Sequence, residues 1–254
     1  YLVSKFLEDN LKETGAKLPT HLNLIEKDIY YYVISRLINL PTLDKTSDFS
    51  CLPQALKTLG LIHNLKVDGK IEVIDHGRIN YLNIPNFSYK DTLVRRFVKR
   101  TNSLAAENLS DILSSELRKR DNEKALKFIH GDFYPSNVLQ DGTVKDLEKA
   151  AKGNFLVDLP PILEATNYRL GLLTKSRLLE EYLKTSDVSQ TYLEENYDIF
   201  ALFNAVCDTG STLNRKEIEN ARLRAEQVEK LTSSKELKKF RDPYFTAIRD
   251  YKLL

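Results

Sequence analysis

The sequence predicts an α+β protein of two lobes, a small strand-containing N-terminal lobe leading into a larger, mainly helical one. Three observations predict it. Apolar residues recur at helical spacing through most of the chain, above all after residue 158. Glycine and proline interrupt the pattern at 67–87, and a turn-rich segment at 128–148 breaks it again, which is where short strands belong. The 254 residues suffice for one large domain or two modest lobes sharing a cleft.

Taken in order, residues 1–6 read as a short strand carrying Lys5 near its end. Leu22, Ile25, Ile29, Tyr32 and Val33 stand at helical spacing, predicting a helix over 22–40 that Pro41 stops. On that helix the run Tyr30-Tyr31-Tyr32 would face every side, with at least one ring in the core. Residues 44–50 are polar and loop-like. After Pro53, the residues Ala55, Leu56, Leu59 and Ile62 share one helical face. Charged helices are expected over 90–100 and 103–120. Towards the C-terminus, Thr191 and Glu194 suggest a capping box. Ile218, Ala221, Ala225, Val228 and Leu231 form an apolar stripe that reads as core.

Composition narrows the function classes. Hydrophobic residues make up 42% and charged residues 29%, as in ordinary globular proteins. No apolar run approaches the roughly 20 residues of a membrane span. The net charge is +2 with both signs mixed along the chain, which gives no argument for nucleic acid or an acidic membrane as partner. No secretory leader opens the chain, and Cys51 and Cys207 are expected to be reduced thiols of a cytoplasmic protein. The chain holds no Met and no Trp, and the sequence is expected to be incomplete, as a fragment, part of a chain, or a chain whose modified methionines are not written out. The oligomeric state is not legible.

The chemistry concentrates in residues 128–148. Asp141-Gly142, between two short alternating runs, signals a two-residue hairpin. That register sets Leu139 opposite Val144, Val138 opposite Lys145 and Asn137 opposite Asp146, with opposed residues about 4.5–5.5 Å apart. An amide oxygen and a carboxylate would then converge as a hard cation such as Mg²⁺ requires. Asp132 lies five residues before Asn137, on a loop tightened by Gly131 and Pro135. There it is placed to take a proton from a substrate hydroxyl attacking phosphorus.

The order His130-Gly131-Asp132, four residues, Asn137, a short hairpin and Asp146 resembles the catalytic and metal loops of the aminoglycoside phosphotransferase and choline kinase families, small-molecule relatives of the protein kinases. The resemblance continues through Asp146-Leu147-Glu148 to Gly153 and Asp158-Leu159, similar to the family's glycine-to-Asp-Leu motif. It implies a protein-kinase-like fold, with an N-terminal nucleotide-binding lobe over 1–45 and a catalytic and acceptor-binding lobe over 46–254. It implies Asp132 as catalytic base, Asn137 and Asp146 as metal ligands, His130 as a brace of the loop and Asp158 as its anchor from below. The implied cofactors are ATP, or GTP as in some relatives, and Mg²⁺.

Upstream, Lys5 after a strand and Glu26 on a helix are similar to the lysine and glutamate that pair over the nucleotide phosphates; the alternative is two solvated charges. The helix ending Leu61-Ile62-His63 also has a family counterpart, with His63 as a structural or surface residue rather than a ligand. The pair His76-Gly77 repeats the motif's first two residues, but no aspartate follows. Glu148 either supports the metal or faces solvent.

The implied activity is transfer of the γ-phosphate of ATP to a hydroxyl of a small molecule: an aminoglycoside, an amino alcohol or a sugar derivative. The helical region after Asp158 carries Glu164, Glu181, Asp208 and other acids suited to a cationic acceptor, though interspersed with Lys and Arg. Three departures fit either an incomplete sequence or a rival, an inactive pseudokinase serving as scaffold or regulator, against which the intact Asp132, Asn137 and Asp146 argue. No glycine-rich loop precedes Lys5, little sequence separates Pro41 from Pro53 to hold adenine, and the hairpin is short.

Overall fold

The structure, a computed structural model, describes residues 2–19, 21–27, 30–35, 40–46, 48–67, 69–75, 78–165 and 172–251. The helix α1 (Leu2–Leu11) precedes the hairpin β1 (His21–Lys27) and β2 (Tyr30–Ser35). Then come α2 (Leu52–His63) and the hairpin β3 (Lys70–Asp75) and β4 (Arg78–Asn83). Helices α3 (Tyr89–Leu93) and α4 (Lys99–Thr101) flank a π turn, and α5 (Leu104–Arg118) follows. Strands β5 (Leu126–Ile129) and β6 (Ala151–Asn154) bracket the 130–150 segment. The chain ends in α6 (Leu159–Leu163), α7 (Leu172–Leu183), α8 (Gln190–Asn214), α9 (Ile218–Leu231) and α10 (Arg241–Ile248). Among the described residues the strands form three two-stranded antiparallel sheets.

Two expectations near the N-terminus are corrected. Lys5 lies on a helix, not a strand, because the apolar pattern continues past it. Leu7 and Leu11, four apart, are buried against Ile62, Ile71 and Phe128, and the Phe6 and Phe128 rings meet edge-on at 6.3 Å. The helix expected over 22–40 is instead the β1–β2 hairpin, with Ile25 opposite Tyr32 and Glu26 opposite Tyr31. Its β-branched and aromatic residues suit a pleated strand better than a helix. Glu26 therefore lies on a strand, as do Tyr30, Tyr31 and Tyr32. The expected end of that helix, residues 36–39, and the pair His76-Gly77 lie outside the described residues.

The chain divides into two compact units, and the expected boundary near residue 45 falls inside the first. The first comprises 1–87 and 124–190. Its core joins α1, α2, β3 and β5 through Leu7, Ile62, Val73 and Phe128. Helix α2 packs on both α7 and β5, with the face expected from sequence (Ala55, Leu56, Leu59, Ile62) fully buried.

The second unit comprises 88–123 and 191–254 and is helical. Ser103 caps α5 by accepting the Ala106 N–H at 3.1 Å. Tyr89 sets its ring edge-on to Phe200 and Phe203, and Phe97 stacks on Tyr244 at 5.8 Å. Helix α8 opens at Gln190, so Thr191 sits within the first turn and the expected capping box does not form there. On α9 the stripe is core at Ala221, Ala225 and Val228, while Ile218 is exposed.

Candidate active site

Everything the sequence singled out between His130 and Asp158 lies in the first unit, and one buried carboxylate organises it. Asp158 is fully buried, in the turn that opens α6. Its Oδ2 accepts the His130 N–H at 2.7 Å and its Oδ1 the Gly131 N–H at 2.8 Å. A third bond to the carboxylate joins Oδ2 to His63 Nε2 at 3.1 Å, and His63 Nδ1 is hydrogen-bonded to the Tyr182 hydroxyl at 2.7 Å. Burial pushes the Tyr182 phenol well above its ordinary value, and the nearby charges of Asp158 and Asp187 add to the shift. Tyr182 thus stays a protonated phenol able to donate, and because the Asp158 carboxylate can only accept, His63 donates from Nε2. An unpaired carboxylate in such a place would cost several kcal/mol, and the convergent N–H groups offset that cost.

Gly131 sits between His130 and Asp132 with φ at +75°. A Cβ there would come within 2.3 Å of the Lys149 carbonyl oxygen, so both backbone conformation and space demand glycine. Beyond it, Asp132 is part-buried, and its Oδ2 accepts from Lys149 Nζ at 2.7 Å. Asn137, in the short helical turn Pro135–Asn137, donates its Nδ2 to the Asp132 carbonyl at 2.8 Å. With Nδ2 so engaged, the amide presents Oδ1, a hard oxygen donor, close to Asp132.

His130 joins this loop to the hairpin. Its Nδ1 accepts the Asp132 N–H at 3.3 Å and its Nε2 donates to the Lys145 carbonyl at 2.8 Å. The two partners fix the neutral ring with its proton on Nε2.

The hairpin forms, one residue out of the expected register. Val138 bridges Val144, the Leu139 N–H reaches the Thr143 carbonyl, and the Lys145 N–H reaches the Asn137 carbonyl at 3.0 Å. Asn137 is therefore opposite Lys145, and Asp146 lies one residue beyond. The cause is Gly142, at φ +86°, which closes a turn on Leu139 and makes a three-residue loop in place of the two-residue one. The chain at 41–43 flanks the other side, where Gln140 N–H bonds Pro41 O and Leu43 N–H bonds Val138 O.

Asp146 adopts φ 60°, ψ 55°, a left-handed conformation that costs a non-glycine residue and is tolerated best by Asp and Asn. Its Oδ2 accepts from Lys145 Nζ at 3.0 Å, and it is 61% exposed. Glu148 is exposed. Among the described residues no cluster of three His, Cys, Asp or Glu side chains forms a cage for a metal. One carboxylate and one amide oxygen suit Mg²⁺ in a different way, as the protein's share of a shell completed by water and phosphate. The donor set fits that ion.

Lys5 is engaged within its own helix. Its ammonium pairs with Asp9 one turn along α1, at 3.2 Å. The expected pairing needed a lysine on a strand and a glutamate on a helix, and Lys5 and Glu26 occupy the reverse. Of the acids suggested for a cationic acceptor, Glu164 pairs with Lys175 and Glu181 with Lys184. In the second unit Asp208 forms a largely buried pair with Arg224 at 2.7 Å. Lys145 and Lys149, which contact Asp146 and Asp132, were not singled out by sequence reasoning. The one available signal was their place immediately around Asp146.

No family model and no curated protein matches the sequence. Solved structures do match. An amicoumacin kinase, hAmiN, in complex with AMP-PNP, Ca²⁺ and Ami, is 13% identical with a TM-score of 0.61, over 91% of this chain and 78% of that one. A choline/ethanolamine kinase family protein from Mesorhizobium loti is 12% identical with a TM-score of 0.60, over 96% and 84%. A thermostable mutant of aminoglycoside phosphotransferase APH(4)-Ia is 15% identical with a TM-score of 0.57, over 90% and 81%. Such identities speak to backbone architecture, and the chain has the protein-kinase-like fold that the aminoglycoside phosphotransferases and the choline/ethanolamine kinases share.

Proposed function

We propose that this chain is an ATP-dependent phosphotransferase that moves the γ-phosphate to a hydroxyl of a small molecule, within the class of aminoglycosides, amino alcohols and sugar-like compounds. One observation carries the reading. The buried Asp158 carboxylate fixes the two N–H groups directly before Asp132, and Asn137 locks onto the Asp132 carbonyl. A base and an oxygen ligand are thus held in one rigid loop, the preorganisation that phosphoryl transfer relies on.

In this mechanism an acceptor hydroxyl donates its hydrogen bond to Asp132. As its oxygen bonds to the γ-phosphorus and the bond to the β-phosphate oxygen breaks, Asp132 takes the proton. Lys149 holds that carboxylate in position until then. Asn137 Oδ1 and the Asp146 carboxylate would hold Mg²⁺, which when bound neutralises charge on the phosphates. His130 keeps loop and hairpin in register. We assign the protein to the cytoplasm, where ATP is available and where Cys51 and Cys207 stay reduced.

Calorimetric titration of ATP and of GTP with and without Mg²⁺, followed by ADP release across a panel of hydroxyl acceptors, tests this reading. Asp132→Ala should bind nucleotide nearly as the parent does and lose turnover by about 10²-fold or more. Asp146→Ala should lose the metal-dependent part of nucleotide binding. Normal turnover by both variants would overturn the assignment. A non-catalytic relative is the second reading, favoured by the lysines that occupy both acids, and it predicts nucleotide binding without turnover.

A further inference from the structure

The pair Lys145–Asp146 is built into the backbone. Lys145 is tied at both ends, its N–H to the Asn137 carbonyl at 3.0 Å and its carbonyl to the buried His130 ring at 2.8 Å. In extended chain, adjacent side chains point to opposite faces. The left-handed conformation of Asp146 breaks that alternation and brings its carboxylate onto the Lys145 ammonium, at 3.0 Å. A strained backbone thus places a cation on an acid that, on the phosphotransferase reading, receives a metal.

We propose that Lys145 is a tethered cation that competes with the divalent metal for Asp146, so that metal is taken up with the nucleotide rather than ahead of it. The inference rests on the reading of Asp146 as a metal ligand. The competition is one of charge. The ammonium must leave Asp146 Oδ2 before a metal can use that oxygen, and once displaced it still repels a dication a few ångströms away. The phosphates of an arriving nucleotide reverse this balance, because they offer Lys145 an alternative anion and complete the shell of the metal. Lys145 is 30% exposed, so its side chain has room to make that exchange.

The test is Mn²⁺ binding to the whole chain, read from the electron paramagnetic resonance signal of free Mn²⁺, with and without a non-hydrolysable ATP analogue. Lys145→Gln should bind Mn²⁺ without nucleotide roughly tenfold more tightly than the parent, given the repulsion between a single and a double charge at such range. The gain should shrink when the analogue is present. Lys145→Arg, which keeps the charge, should stay within about twofold of the parent, and Asp146→Asn should lose the site in every background. Equal or weaker Mn²⁺ binding by Lys145→Gln, with the parent still binding metal and analogue together, overturns this proposal alone. Failure of the parent and of Lys145→Gln to bind metal with the analogue overturns the phosphotransferase reading and this proposal with it.

Discussion

Lys149 and Asp132 are 17 residues apart in the chain and 2.7 Å apart in space, with the carboxylate the more buried partner. A pair of this kind differs from the exposed Lys184–Glu181 pair, whose partners sit three residues apart at the end of α7 and both face solvent. On the proposed phosphotransferase reading the ammonium orients the Asp132 carboxylate, and a small misplacement of a base is expensive in rate. Lys149→Ala is therefore expected to lower kcat by about tenfold or more with little change in nucleotide affinity, and Lys149→Arg to restore part of it. Steady-state kinetics on any accepted hydroxyl compound checks this, and a Lys149→Ala enzyme with parental kcat would contradict it. The shape of the neighbouring residue was less open to choice. At Gly131 a side chain would strike the Lys149 carbonyl, so the same short segment both orients the base and limits what precedes it.

At the scale of elements, Asp158 joins α2, the catalytic loop and the start of α6 through three hydrogen bonds, and His63 extends the connection to Tyr182 on α7. Asp158→Asn keeps the shape but removes a charge and turns one acceptor into a donor facing an N–H. The expected loss is about 3 kcal/mol of stability, visible as a lower urea midpoint; an unchanged midpoint would show that the anchor is dispensable. The sequence made the local half of this arrangement legible. His130, Asp132, Asn137 and Asp146 follow one another at short spacings because the chemistry needs them on one loop and one hairpin. The distant half was not legible: His63 meets Asp158 across 95 residues, and no local pattern records that contact. The register slipped by one because Asp-Gly suits both two-residue and three-residue turns, and the bond from the Gly142 N–H to the Leu139 carbonyl decides between them. The β1–β2 hairpin was misread because five apolar residues fell by chance at helical spacing within a segment of strand-forming residue types.

For the whole molecule, a net charge of +2 with mixed signs leaves no large field at neutral pH, and as the pH rises from there buried phenols add a contribution whose sign is fixed. Among the described residues, Tyr182 in the first unit and Tyr244 in the second are completely buried. Tyr182 shares a 2.7 Å bond with His63, and Tyr244 a 2.8 Å bond with Thr209. Burial is the first cause of the upward shift of both phenols. The direction fixes the sign. A phenol held neutral in the folded state contributes stability that is complete below its unfolded value near 10 and is lost as the pH rises towards the folded value. With two such groups the slope approaches about 2.7 kcal/mol per pH unit once the unfolded phenols are ionised. Of the 13 tyrosines, at least these two should therefore ionise only as the helices melt. Absorbance at 295 nm followed together with far-ultraviolet circular dichroism should show a first phase near pH 10 with helix intact. A later phase should coincide with helix loss. Replacing Tyr182 and Tyr244 by Phe should lower stability at neutral pH, because His63 Nδ1 and Thr209 lose their partners, yet make its decline above pH 10 shallower. Ionisation of all 13 phenols while the helix signal persists would mean that neither ring is sealed from water, and with that the buried Tyr182–His63–Asp158 connection beneath the base would fall.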